Sequence, residues 1–61
     1  MTPEEIAQRL ELLRIEHRDL DAAIIALGAA PVPDQLQLAR LKKKKLKLRD
    51  EIAWCEDQLL P

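Results

Sequence analysis

The amino-acid sequence predicts an all-α fold, an antiparallel and coiled-coil-like hairpin of two helices. The composition favours helix over strand, because helix-forming residues dominate and Phe and Tyr are absent. Two long segments carry apolar residues at alternating spacings of three and four, the pattern of a helix that packs along one seam. A short segment with glycine and proline separates them. Residues 1–61 are therefore expected to form a single αα-hairpin domain.

The first helix is expected at about residues 3–27. Thr2 can cap it, Pro3 suits the first helical position, and Glu5 stands at the spacing of a capping box. The apolar seam that follows keeps heptad spacing, and His17 is its only polar member. The seam consists of Ile6, Leu10, Leu13, His17, Leu20, Ile24 and Leu27.

The turn is expected at residues 28–33 and the second helix at about residues 35–60. Gly28 stands where glycine commonly ends a helix, and Pro31 and Pro33 prevent the first helix from continuing. Asp34 is expected to cap the second helix. The second seam also contains one polar residue, and its members are Leu38, Leu41, Lys45, Leu48, Ile52, Cys55 and Leu59.

The two polar seam residues are expected to share one layer of the hairpin. In an antiparallel hairpin closed by this turn, the numbers of facing residues sum to about 62, so His17 faces Lys45. Two interpretations are open. In the first, the layer sets the register, because a mispaired hairpin would place each polar residue against a leucine. In the second, both side chains simply extend to the solvent at the rim of the hairpin.

A chain of this size needs additional stabilisation, because small domains bury only about 60% of their unfolded surface. The single cysteine, Cys55, excludes an intrachain disulfide. Homo-oligomerisation, for example as a dimeric four-helix bundle, is therefore expected. The predicted interface is the set of apolar residues off the seams: Leu12, Ile15, Ile25, Leu46, Ala53, Trp54 and Leu60. The alternative is that a small protein simply exposes some leucines.

No catalytic residue, cofactor site or metal site is predicted. His17 is the only histidine, and a two-helix hairpin offers no obvious concave site for acid–base chemistry. Cys55 falls on the seam, which favours a buried and inert thiol. The sequence thus predicts a non-enzymatic interaction or structural protein whose partner is itself or a further, unidentified protein.

The basic segment LKKKKLKLRDEI, residues 41–52, is the alternative functional feature. The net charge is −1, but residues 1–34 carry 3 − 7 = −4 and residues 35–61 carry 7 − 4 = +3. The cations are expected to be solvated, to pair with acidic residues of the first helix such as Glu16, Asp19 and Asp21, or to bind nucleic acid. The candidate polyanion contacts are Arg40, Lys42, Lys43, Lys44, Lys47 and Arg49.

A cytoplasmic location is expected. The acidic N-terminal segment MTPEEIAQRL does not resemble a signal peptide, and no stretch approaches the roughly 18 apolar residues of a membrane span. The apolar residues between the lysines are too few and scattered for a membrane-surface face. An unpaired cysteine fits a reducing compartment.

Two motifs resemble the YdcH-like family of short bacterial proteins. HRDLDAAI matches the family's first-helix motif at His17, Leu20, Asp21 and Ile24. The second motif matches at Leu41, Lys42, Lys43, Lys45, Leu46, Leu48, Arg49, Asp50, Glu51 and Ile52, where Arg49 replaces the usual lysine and keeps the charge. The resemblance implies a cytoplasmic bacterial helical hairpin that self-associates, and it implies no activity.

Overall fold

A computed structural model describes residues 1–61 as two helices, α1 (Pro3–Gly28) and α2 (Gln35–Leu59), without a strand. The helices pack against each other along their length as a hairpin, which gives a rod of 47 × 15 × 15 Å. Helices of 26 and 25 residues account for about 39 Å of this length at about 1.5 Å per residue, and the turn and the chain ends account for the rest. The predicted all-α hairpin is confirmed.

Side-chain caps begin both helices, as the sequence predicts. The Thr2 Oγ1 accepts a hydrogen bond from the backbone N of Glu5 at 3.2 Å, and the Thr2 backbone N donates to Glu5 Oε1 at 3.1 Å. Asp34 Oδ1 accepts from the backbone N of Gln37 at 3.0 Å. These bonds satisfy amide groups that have no partner within their helix, so each start is encoded locally.

The end of α1 differs from a glycine-terminated helix. Gly28 is the last helical residue, and no residue of the chain has a positive φ. Ala29 caps the helix with φ −83° and ψ −6°, and its backbone N donates to the carbonyl oxygen of Ile25 at 3.1 Å. Gly28 therefore supplies no left-handed conformation here. A Cβ at this position would meet nothing within 4 Å, so neither space nor backbone requires glycine.

The core consists only of seam residues. The buried residues are Ile6, Leu10, Leu13, Leu38, Leu48 and Cys55. All except Leu38 form one cluster, against which Leu20 and Ile52 pack. The core therefore lies toward the end of the hairpin that carries the chain termini, called the open end below, and away from the turn end.

Two ion pairs join the helices near the open end. Arg9 Nη2 lies 3.1 Å from Glu51 Oε2, and Arg14 Nη2 lies 3.5 Å from Glu56 Oε2. All four side chains are about half exposed, so the pairs contribute little to stability. At 100° per residue the two arginines lie on opposite sides of the α1 seam. We call these two sides of the hairpin the Arg9 flank and the Arg14 flank.

Candidate functional site

A polar contact interrupts the apolar seam near the middle of the hairpin. Lys45 Nζ donates a hydrogen bond to Asp21 Oδ1 at 2.7 Å, and both side chains are partly buried. The acceptor is thus Asp21, which stands four residues after His17 on α1. His17 is half-buried on the seam. The structure adds Asp21 to the predicted polar layer of His17 and Lys45, whose role in setting the register stays a prediction.

The sequence analysis placed Asp21 in the family motif and among the α1 carboxylates that could pair with the basic segment, but it did not assign Asp21 to Lys45. A seam spacing identifies residues that point at the partner helix, and Asp21 lies beside the seam. A lysine side chain is long enough to leave the seam and reach such a flanking carboxylate. The position of Asp21, one turn after a polar seam residue, was the signal that could have identified it.

The contact with Lys45 changes the electrostatics of Asp21. The hydrogen bond from Lys45 and the positive charge of its ammonium group lower the pKa of Asp21 below its ordinary value of 3.8. Partial desolvation opposes this effect, and the nearby His17 adds a smaller lowering of the pKa. Asp21 is therefore ionised at neutral pH, and the layer holds an ion pair.

The hairpin has one shallow concave feature, a groove on the Arg9 flank. The residues that line it are Glu16, Asp19, Leu20, Ala23, Lys44 and Leu48. The lining holds no pairing of a nucleophile with a histidine base. Nowhere in the chain do three or more His, Cys, Asp or Glu residues form a group that could hold a metal ion. The chemistry of the groove is that of a mixed-charge surface.

The basic segment is more exposed than its predicted pairing with α1 implies. The six candidate polyanion contacts, from Arg40 to Arg49, are all exposed. None lies within 4.0 Å of a carboxylate, since the ion pairs of the hairpin involve Arg9, Arg14, Arg18 and Lys45. Of the expected alternatives, solvation describes these six cations, and pairing with α1 occurs only between Lys45 and Asp21. Lys44 lines the groove with Glu16 and Asp19 but makes no ion pair with either.

The seven residues of the predicted oligomer interface are all exposed. By the helical period, four of them lie on the Arg14 flank: Ile25, Leu46, Ala53 and Leu60. Leu12 and Trp54 lie toward the Arg9 flank, and Ile15 lies on the side of α1 opposite the seam. The structure thus groups four of the seven residues and separates the other three from them.

Neither helix combines the length and apolar character that crossing a bilayer requires.

Comparison with known proteins places the chain in a family. Residues 10–56 match the family described as Protein of unknown function (DUF465). The match covers 56 − 10 + 1 = 47 of the 61 residues and includes the polar layer and the basic segment. No curated protein and no solved structure matches the chain. The chain therefore belongs to this helical family, to which the YdcH-like proteins also belong.

Proposed function

We propose that this chain is a non-enzymatic interaction or structural protein that self-associates through the apolar residues its hairpin leaves exposed. We place it in the cytoplasm, where an unpaired cysteine such as Cys55 is stable. The observation that carries the proposal is the surface area. The single hairpin exposes 4901 Å², whereas a compact monomer of 7.0 kDa is expected to expose about 4,000 Å².

The excess of about 900 Å² is close to the area of about 800 Å² that one partner contributes to a standard protein interface. The core supports the same conclusion, because only 6 of 61 residues are buried. A core of this size seldom stabilises a small domain without a disulfide, a metal or a partner. Burial of the exposed leucines in a second copy supplies the missing apolar contact.

A second copy of the chain is the simplest occupant of this surface. A two-fold dimer uses the same patch on both subunits, so one apolar stripe is sufficient. The stripe of Leu46, Ala53 and Leu60 recurs at seven-residue intervals on exposed positions of α2. This repeat is typical of a helix that has a second helical neighbour.

The test is the oligomeric state of the wild type and of Leu46→Glu, measured by light scattering over a range of concentrations. The wild type is expected to be a homo-oligomer, and the new charge in the interface is expected to weaken assembly by about tenfold or more. Leu36→Glu is the matched control, because Leu36 is similarly exposed and lies outside the predicted interface. A wild type that stays monomeric and well folded at high concentration overturns the proposal.

Nucleic-acid binding is the second candidate, and the unpaired cations from Arg40 to Arg49 favour it. Binding of this kind releases counterions, so the affinity for DNA or RNA would fall steeply with salt. Neutralisation of Lys42, Lys43 and Lys47 to glutamine would weaken binding and flatten the salt dependence. An absence of binding to both DNA and RNA at physiological salt removes this candidate.

A further inference from the structure

One exposed stripe of α2 alternates large and small residues. Ala39, Leu46, Ala53 and Leu60 lie seven residues apart on the Arg14 flank, and all four are exposed. Successive members are separated by about 10.5 Å along the helix axis. We call them the Ala/Leu stripe. Two such stripes interdigitate when each leucine lies against an alanine of the other, as in a closely packed core.

We propose that two copies of the chain associate through their α2 helices, antiparallel, about a two-fold axis between Arg49 and Asp50. This inference rests on the proposed self-association and specifies its geometry. The numbers of facing residues sum to about 99, because a two-fold axis makes every contact reciprocal. Leu46 then lies against Ala53 of the partner subunit, and Leu60 lies against Ala39 of the partner subunit.

The charges beside the stripe are complementary in the same arrangement. Lys42, Arg49 and Glu56 border one side of the stripe, and Lys43, Asp50 and Asp57 border the other. In an antiparallel pair each side faces the same side of the other copy. Lys42 therefore faces Glu56 of the partner subunit, and Lys43 faces Asp57 of the partner subunit. The symmetry gives four ion pairs, and at the axis it also sets Arg49 against Arg49 and Asp50 against Asp50 of the partner subunit.

Within the single hairpin most of these charges have no partner. Lys42, Lys43, Asp50 and Asp57 make no ion pair, and Glu56 makes only the exposed 3.5 Å contact with Arg14. They are therefore free to pair between copies. In the proposal Lys42 and Lys43, which make no ion pair with α1, face the acidic end of a second α2.

Other arrangements of the same stripe gain fewer opposite-charge contacts than these four and add like-charge contacts between different residues. A shift by seven residues toward the turn sets Lys42 against Arg49 of the partner subunit. The opposite shift sets Asp50 against Asp57 of the partner subunit. A parallel, in-register pair brings opposite sides of the stripe together, so Lys42 lies near Lys43 and Glu56 lies near Asp57 of the partner subunit. Like charges across an interface disfavour the wrong partner or register, so the charge pattern selects one of these arrangements.

The test exchanges the charges beside the stripe. Lys42→Glu with Lys43→Glu makes one variant, and Glu56→Lys with Asp57→Lys makes the other. Each variant alone sets four like-charge contacts in its homodimer, so its Kd is expected to rise by about tenfold or more. An equimolar mixture restores four opposite-charge contacts, and heterodimers are expected at about the wild-type affinity. Sedimentation velocity measures affinity, and native mass spectrometry identifies the heterodimer.

A matched control pair carries the same charge changes on the other flank. Lys44→Glu with Lys47→Glu and Glu16→Lys with Asp19→Lys alter exposed residues of the Arg9 flank. Each control variant alone is expected to dimerise like the wild type. Circular dichroism verifies that all variants keep their helices, which is expected because every substitution is at an exposed position.

The outcomes separate this inference from the proposed function. If the wild type dimerises but the exchanged variants behave like the controls, the α2 pairing is overturned and self-association stands. If the mixture does not form heterodimers, the α2 pairing is likewise overturned and self-association stands. If the wild type is monomeric at millimolar concentration, both proposals are overturned. Leu12, Ile15, Ile25 and Trp54 of the predicted interface lie outside the Ala/Leu stripe, so the α2 pairing does not depend on them.

Discussion

The two halves of the hairpin share one seam pattern but differ in how well they bury it. In the open half, Ile6, Leu10, Leu13, Leu48 and Cys55 form the buried cluster. Around the turn, the seam residues are mostly half-buried, and Leu38 is the buried one there, outside the cluster. The end that the chain closes covalently is thus the less tightly packed end. Heptad spacing determines which residues face the partner helix, and their neighbours determine how completely they are covered.

The side chains beside the seam explain the difference. In the turn half, Ala23 borders the α1 seam on the Arg9 flank, and its short side chain cannot reach across to cover the seam. In the open half, arginine and glutamate side chains bridge the helices at Arg9–Glu51 and Arg14–Glu56. The aliphatic stems of such residues cover apolar surface even when their charged ends stay in water. The two ion pairs therefore add cover to the seam in the open half.

The largest expected effect is loss of a leucine from the open half. Leu13→Ala removes a side chain that is 4% exposed and is expected to reduce the free energy of unfolding by about 2–5 kcal/mol. Leu27→Ala is the matched substitution in the turn half, where the side chain is half-buried, and it is expected to cost clearly less. Urea denaturation followed by circular dichroism measures both. Equal losses would contradict the contrast between the halves.

A smaller effect is expected at the polar layer between the halves. His17→Leu together with Lys45→Leu makes the seam continuous and is expected to raise the free energy of unfolding by about 1–3 kcal/mol, because buried polar groups are often replaced favourably by packed apolar ones. The register is expected to loosen, since the only polar members of the seams are then gone.

The loosened register is measurable in solution. Several sets of amide resonances, or several oligomeric states, are expected for this double variant in place of one. A single resonance set and a single oligomer, identical to the wild type, would remove the register role of His17 and Lys45. Asp21 then lacks its hydrogen-bond donor, but it is partly exposed and water can solvate it.

The smallest effect is a pH dependence at Asp21. The pKa of this carboxyl group is lowered in the folded chain, mainly by the hydrogen bond from Lys45. The unfolded chain therefore takes up the proton at higher pH than the folded one. The stabilisation is fully present above the ordinary pKa of 3.8 and is lost as the pH falls through the lowered folded value.

Asp21→Asn isolates this contribution. The midpoint of thermal unfolding is expected to be higher for the wild type than for the variant at pH 7, and the difference is expected to vanish in strong acid. The other carboxylates titrate in both chains, so they cancel in the comparison. A difference that persists unchanged at low pH would show that the carboxylate charge does not stabilise the hairpin.

Much of the fold and part of the candidate site follow from the sequence. The Thr2 and Asp34 caps are local, because their bonds join residues three apart in the chain. The seam residues could be predicted from the sequence because residues at heptad spacing lie on one face of a helix. Asp21 was missed as the partner of Lys45, because a bond between residues 24 apart depends on the reach of a side chain across the hairpin. For the same reason the sequence does not show that Lys45 is the one cation of the basic segment that pairs with α1.

By itself, the sequence determined two helices, their caps, the seam that joins them and the exposed Ala/Leu repeat, since all of these depend on local bonding and periodicity. Only the tertiary structure decided where the core is densest, which carboxylate accepts from Lys45, and which charges stay without a partner. Those features depend on distances between side chains of different helices. Such distances arise only once the hairpin has closed.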